Sequence, residues 1–210
     1  LVVILNGDEE ITSLSSRALF EERGRTADYA LGLEPGEPSG DGASTIVKGR
    51  KGIGFYRLYI SGKAAHAGTS HHLGINAFEE LAHKTIQFQQ LTNAATGVTV
   101  NVGGNVIVRD PKRNAVPHWA QAEIDVRFPA LTDAVEIEAK LQEVTRHAYV
   151  TNPSLHESTK AVILGGVVRP PWPEGQARQQ LAESYAQVAR ELGREVIAET
   201  RGGASDGNFL

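Results

Sequence analysis

The sequence predicts an α/β protein with two domains, one of which interrupts the other. Three observations support this expectation. An apolar run and a turn occupy the first residues, alternating apolar and polar residues fill the middle of the chain, and a long amphipathic helix with a further strand follows them. With 210 residues, of which 40% are hydrophobic, the chain is long enough to bury two small cores.

Residues 1–49 are expected to form part of the first domain, an open α/β sheet. The predicted elements are an apolar strand at 1–5, a helix at 13–23 and an apolar strand at 29–33 that ends in Glu34-Pro35-Gly36. Strand, helix and strand in this order predict a right-handed crossover. A stretch rich in glycine, serine and proline follows at 36–52, and we place the first domain boundary there.

Residues 50–166 predict a second domain, because the pattern changes to alternation. Ala122, Ile124 and Val126 alternate with polar residues, which is typical of a sheet with one wet face. The predicted elements are strands at 55–61, 98–102, 121–128 and 161–164 and helices at 73–91 and 132–148. The order βαββαβ is that of a ferredoxin-like fold.

Residues 167–210 predict a return to the first domain. After Arg169-Pro170-Pro171-Trp172, an amphipathic helix carries Leu181, Val188 and Leu192 on its apolar face. A strand at 196–200 then leads into the glycine-rich turn at 202–206.

Composition limits the classes of function. The formal net charge is −4 and the 21 basic residues are scattered, which gives no footprint for nucleic acid or an anionic membrane and favours a small-molecule partner. Cysteine is absent, so any metal ion is held by carboxylate, imidazole or water. No apolar run is long enough to span a bilayer and no signal peptide is visible, so we expect a cytoplasmic protein; an export signal already removed would leave the same pattern.

Carboxylates follow both strands predicted for the first domain. Asp8-Glu9-Glu10 comes after the first strand and Glu34 ends the second, so these acids are expected at the carboxyl edge where open α/β folds keep their sites. Because adjacent carboxylates repel one another, a cation such as Zn²⁺ would stabilise them, with one acid as ligand and another as general base. The alternative is a solvated acidic turn, with Glu34 capping a turn before proline.

Other candidate residues lie in loops and on the wet sheet face. His66 lies in a turn of small residues that would leave its imidazole exposed, as a functional or a plain surface histidine. Asn114 precedes the strand that ends at Arg127, and an arginine there would bind a carboxylate through two hydrogen bonds or form an ordinary salt bridge. The backbone amides of the 202–206 turn could approach a ligand.

Five motifs then occur in the order of a known family. They are Asn-Gly-Asp-Glu-Glu, Leu-Glu-Pro, Gly-Lys-Ala-Ala-His-Ala-Gly, Asn-Ala-Val-Pro before Asp-Val-Arg, and Gly-Gly-Ala-Ser-Asp. Over nearly its whole length the chain resembles the di-zinc exopeptidases and deacylases of the M20 type, which include glutamate carboxypeptidase, acetylornithine deacetylase and succinyl-diaminopimelate desuccinylase. The resemblance implies a zinc-exopeptidase-like catalytic α/β domain at 1–49 and 167–210, interrupted by a lid and dimerisation domain at 50–166.

The resemblance also implies roles for individual residues. Glu9 matches the general base, Glu10 and Glu34 match ligands of two zinc ions, and His66 matches a histidine that stabilises the oxyanion in the partner subunit's site of a homodimer. The residues that match substrate-binding positions are Asn114 and Arg127, for the terminal carboxylate, and Arg169 and Gly203, which line the pocket.

The expected function is that of a zinc-dependent hydrolase that cleaves an amide bond next to a free carboxylate, as glutamate carboxypeptidase does. An N-acyl amino acid deacylase of the same family is the first alternative, and a non-catalytic dimerisation or ligand-binding module without metal is the second. The family's His-x-Asp ligand segment and final ligand histidine have no match here. We therefore expect an internal piece of a longer protein, with weak zinc binding and no activity by itself.

Overall fold

The computed structural model describes residues 1–34, 44–109 and 112–210 and divides into two compact units. The first unit comprises Leu1–Ile53, Pro129–Leu131 and Val168–Leu210, and the second comprises Gly54–Phe128 and Thr132–Val167. The predicted Glu34-Pro35-Gly36 turn and the boundary stretch up to residue 43 lie outside the described residues. No helix in the described ranges is long and apolar enough to cross a membrane.

The helices and strands follow one another in mixed α/β order. They are α1 (Arg17–Gly24), β1 (Ser44–Arg50), β2 (Gly52–Ser61), α2 (Ala77–Gln89), β3 (Thr99–Val108), β4 (Trp119–Phe128), α3 (Leu131–Arg146), β5 (Thr151–Asn152), β6 (Glu157–Ser158), β7 (Lys160–Arg169), α4 (Gln176–Glu191) and β8 (Val196–Arg201).

A four-stranded sheet in the order β3-β4-β2-β7 forms the second unit, and this is the ferredoxin-like arrangement that the alternation predicts. Along β4 every second residue is buried, so one face packs into the core and the other stays half-exposed. The buried face meets the apolar sides of α2 and α3 in one core, which includes Leu58, Phe88, Ile124, Phe128 and Leu141. The predicted α/β fold class is confirmed.

An ion pair is buried in this second unit. Glu80 and Lys84, one turn apart on α2, are both fully buried, and their charged atoms lie 2.9 Å apart. Lys84 Nζ also donates to the carbonyl oxygens of Val144, Thr145 and His147, at 2.6 to 3.1 Å. Because the last carbonyls of a helix have no partner within it, Lys84 closes the end of α3.

In the first unit, β1 and β8 form a parallel pair, and α4 packs against both strands. We did not predict β1, because its serine, lysine and glycine content is typical of a loop. Its backbone hydrogen bonds come from β8, far away in sequence. Just after β1, Arg50 and Trp172 exchange two backbone hydrogen bonds of 2.8 Å, where the chain leaves the first unit and where it returns.

The apolar segments 1–5 and 29–33 are not strands in the structure, so this prediction was wrong. Leu1, Leu5 and Leu33 are more than nine-tenths exposed. An apolar run becomes a parallel strand only beside strands that satisfy its backbone, and no described strand pairs with either segment. The helix predicted from residue 13 begins at Arg17 instead, because Thr12 and Ser13 have positive φ angles of 74° and 55°.

Candidate active site

The loop that carries the three acids is held together by the first of them. Asp8 accepts hydrogen bonds from the hydroxyl groups of Ser15 and Ser16 and from the backbone amide of Ser15, at 2.6 to 2.8 Å. Those bonds, with Ser16 the largest contributor, lower the pKa of the Asp8 carboxyl far below its usual range. Asp8 therefore closes the turn before α1, which leaves Glu9 and Glu10 for chemistry.

Glu9 is in direct contact with a buried arginine. Arg169 is 3% exposed in its side chain, and its Nη1 lies 2.6 Å from Glu9 Oε1. The Nη2 of Arg169 donates to the backbone oxygen of Glu9 at 2.7 Å. Glu10 follows on the same 3₁₀ turn and is exposed. The sequence predicted both acids and Arg169 as site residues, and the structure brings Arg169 and Glu9 together.

Glu34 belongs to the same charged cluster. Although the residue is exposed, partial burial of its carboxyl raises the pKa, and the negative charges of Glu9 and Asp206 raise it further. The guanidinium groups of Arg50 and Arg169 act in the opposite direction. Three carboxylates near one another in the first unit make a place where added positive charge would be stabilising.

The glycine-rich turn is fastened to the same cluster. Arg50 Nη1 donates to the backbone oxygen of Gly203 at 2.8 Å, and Asp206 accepts a 2.7 Å hydrogen bond from Asn6 Nδ2. Asp206 also accepts a short hydrogen bond from the buried hydroxyl of Ser13. Sequence reasoning proposed Gly203 but missed Arg50, Ser13 and Asp206 as individual residues. Asp206 lay within a quoted motif, whereas nothing in the pattern marks Ser13.

His66, in the second unit, has a defined tautomer. Its Nδ1 accepts hydrogen bonds from the backbone amides of Gly68 and Thr69, both at 3.1 Å. A nitrogen that accepts two hydrogen bonds carries no proton, so in the neutral ring the proton lies on Nε2, which is free to donate. The exposed His66 loop is joined to the Asn114 segment by a 2.8 Å hydrogen bond from the amide of Ala67 to the oxygen of Asn114.

Arg127 lies at the other end of the same unit. It occupies the half-exposed face of β4 and forms two hydrogen bonds, of 2.7 and 2.8 Å, with Asp125. Arg127 is eight residues beyond Trp119, at which β4 begins, and this corresponds to about 27 Å at roughly 3.4 Å per residue. Asn114 precedes that beginning, so Asn114 and Arg127 of one copy are too far apart to hold the same carboxylate.

Residues 48–153, about half of the chain, match the peptidase dimerisation domain of M20 peptidases. The chain belongs to the M20 metallopeptidase family. The resemblance seen in the sequence is thereby confirmed, while the roles of single residues remain predictions.

Relatives with known names agree with membership of the M20 family. The chain is 28% identical to carboxypeptidase G2 of Pseudomonas sp. (strain RS-16), over all of this chain and 48% of that protein. It is 39% identical to a homolog, from Haemophilus influenzae, of one p-aminobenzoyl-glutamate hydrolase subunit, over 33% of this chain and 16% of that protein. The chain thus spans about half the length of carboxypeptidase G2 and much less of the hydrolase homolog.

Solved structures share the fold of this M20 chain. Aminopeptidase PepT from Bacillus cereus superposes with a TM-score of 0.75 and 24% identity, over 96% of this chain and 50% of that one. An aminobenzoyl-glutamate utilization protein from Klebsiella pneumoniae gives 0.56 and 20%, over 81% of this chain and 43% of that one.

The chain supplies only part of an M20 metal site. All seven of its histidines fall in the second unit, so the first unit offers carboxylates alone. Within the described ranges, no three histidine, cysteine, aspartate or glutamate residues are grouped to hold a metal ion. Glu10 and Glu34 fit as oxygen ligands by their chemistry and by the mutual repulsion that raises the pKa of Glu34, but they do not complete a coordination sphere.

Proposed function

We propose that the protein to which this chain belongs is a zinc-dependent hydrolase that cleaves an amide bond next to a free carboxylate, as a glutamate carboxypeptidase does. The observation that carries the proposal is the contact between buried Arg169 and Glu9. It joins a group that can bind a carboxylate to a group that can accept a proton. The names of two relatives, carboxypeptidase G2 and the p-aminobenzoyl-glutamate hydrolase homolog, support a substrate that ends in glutamate.

Glu10 and Glu34 are the residues that we assign to zinc. When bound, zinc would lower the pKa of a water molecule and polarise the scissile carbonyl group. Glu9, beside them on the 3₁₀ turn Glu9–Ile11, would accept the water proton on a carboxylate oxygen and pass it to the leaving amine. Arg169 would then exchange Glu9 for the carboxylate of the substrate.

We assign oxyanion stabilisation to His66, because its Nδ1 is held by two amides and its Nε2 proton is left to donate. Asn114 and Arg127 are proposed to bind the substrate's terminal carboxylate. Since they lie at opposite ends of one strand, a single substrate could meet both only if they came from different copies. The proposal therefore requires a homodimer, which the match to a dimerisation domain supports.

The test uses the full-length protein and its Glu9→Gln variant. Zinc content is measured together with the release of glutamate from peptidyl-glutamate and N-acyl-glutamate substrates, whose relative rates separate a carboxypeptidase from a deacylase. We expect bound zinc in both proteins and turnover only in the wild type, because Gln cannot accept the proton. Glu22→Gln, which alters an exposed carboxylate on α1, is the control and should keep its turnover. A metal-free, inert but dimeric protein would instead support a non-catalytic binding module.

A further inference from the structure

The turn between Glu9 and α1 contains a strained and buried serine. Thr12 and Ser13 both adopt positive φ angles, 74° and 55°, a region that residues with a Cβ rarely occupy. Ser13 is fully buried although it is polar. Backbone strain persists only where the surroundings enforce it, so the contacts of this hydroxyl are the place to look for its role.

The Ser13 hydroxyl connects an acid to the buried arginine. It donates its single proton to Asp206 Oδ1 and accepts a 3.1 Å hydrogen bond from Arg169 Nη2. The same Nη2 lies 3.6 Å from Asp206 Oδ1 and donates to the backbone oxygen of Glu9. Asp206 is 14% exposed, and its other oxygen is held by Asn6. Every oxygen around Nη2 is thus fixed by the turn or by Asp206.

The two terminal nitrogens of Arg169 differ in this respect. Nη2 has three oxygen neighbours that cannot move away, whereas the partner of Nη1 is the Glu9 side chain, which is 30% exposed. An arginine held rigidly at one nitrogen loses little freedom when the other binds a ligand. Nη1 is therefore the end at which an incoming carboxylate can replace Glu9.

We propose that Ser13 and Asp206 are positioning residues that hold Arg169 so that it binds the free carboxylate of the substrate. The inference rests on the proposed function and adds to it the pair that orients the anchoring arginine. Ser13 contributes the hydrogen bond, and Asp206 contributes the charge that fixes the direction of the hydroxyl proton.

The test compares Ser13→Ala, Ser13→Gly and Asp206→Asn in the full-length protein. Both Ser13 substitutions remove the hydroxyl, but glycine adopts a positive φ freely and so separates the hydrogen bond from the backbone strain. Ser15→Ala is the matched control, since it removes a hydroxyl from the same loop that bonds only to Asp8, which keeps its bonds from Ser16. Each variant is checked for thermal stability and zinc content, and Ser13→Gly replaces Ser13→Ala if the latter does not fold.

Two readouts decide the matter. KM for a peptidyl-glutamate is expected to rise on the order of tenfold in the Ser13 and Asp206 variants, with kcat within about twofold, because a hydrogen bond to a charged group is lost. Preference for the free acid over its carboxamide analogue, and calorimetric affinity for glutamate, should fall by a similar factor. A loss of kcat at constant KM, or an unchanged preference, would overturn the positioning role while leaving the hydrolase proposal intact. An inert wild type that also fails to bind glutamate would overturn both.

Discussion

Replacing Lys84 by methionine should destabilise the second unit strongly. The ammonium group is fully buried, 2.9 Å from Glu80, and donates to carbonyl oxygens at the end of α3. Burial lowers the pKa of Lys84, and the hydrogen bonds and charge of Glu80 oppose that shift. The pKa of Glu80 is lowered: burial alone would raise it, but hydrogen bonds from Lys84 and the amide of Val150 outweigh burial. Lys84→Met would leave a buried carboxylate without its cation.

The magnitude follows from these contacts. Three hydrogen bonds from a charged donor, at roughly 1.5 kcal/mol each, amount to about 4.5 kcal/mol. Burying the methionine side chain offsets about 1 kcal/mol of this loss. The expected fall in the free energy of unfolding is therefore about 3–4 kcal/mol, which agrees with roughly 3–5 kcal/mol for removing one partner of a buried pair. A Glu80→Gln/Lys84→Met double variant should recover at least about 1 kcal/mol, because no unpaired charge remains.

The assay is denaturant unfolding followed by tryptophan fluorescence. The chain has two tryptophans, Trp119 in the second unit and Trp172 in the first. In a Trp172→Phe background, Trp119 alone reports on the unit that contains Lys84. Lys140→Met, at an exposed position of α3, is the control and should change the free energy by less than about 0.5 kcal/mol. If Lys84→Met loses less than about 1 kcal/mol, the buried ammonium group does not hold the end of α3.

Two further predictions concern the same unit. Burial raises the pKa of Tyr56 to about 12, so the folded state keeps a proton that the unfolded state loses near pH 10, and stability should fall between about pH 10 and 12 by up to roughly 1.4 kcal/mol per pH unit. Denaturation at several pH values should show this slope reduced in Tyr56→Phe but retained in Tyr185→Phe, whose ring is half-exposed; equal slopes in all three proteins would contradict the assignment to Tyr56. Gly165→Ala should cost more than about 3 kcal/mol, since φ is +140° and a Cβ would lie 2.1 Å from the oxygen of Phe55. Gly166→Ala, where a Cβ meets open space, should be nearly neutral in the same thermal melts, and similar losses at both positions would refute the steric argument.

The sequence predicted the second unit well because alternation carries its own spatial information. In β4 a period of two fixes which face is buried, and the helical spacing around Leu81 and Ile137 supplies the layer that covers it. The first unit was harder, because its elements depend on neighbours that a local pattern does not contain. β1 pairs with a strand far along the chain, and the apolar run at 1–5 has no described strand beside it.

The candidate site shows the same division. Glu9 and Glu34 could be found because acids after apolar strands form a visible pattern, and Arg169 because of the family resemblance. Ser13 could not be found, since its position depends on a positive φ angle and on contacts with residues that are distant in sequence. A serine within a run of serines and threonines carries no mark of either.

The paired backbone of Arg50 and Trp172 has a consequence for how such proteins change over evolutionary time. The two residues hold the departing and returning chain together by hydrogen bonds that belong to the first unit itself. Whatever is inserted between them arrives with its ends already joined, at little cost in loop-closure entropy. The stretch from Lys51 to Pro171 can therefore be lengthened, exchanged between relatives or reduced to a short turn as a cassette, while the host around it keeps its own fold.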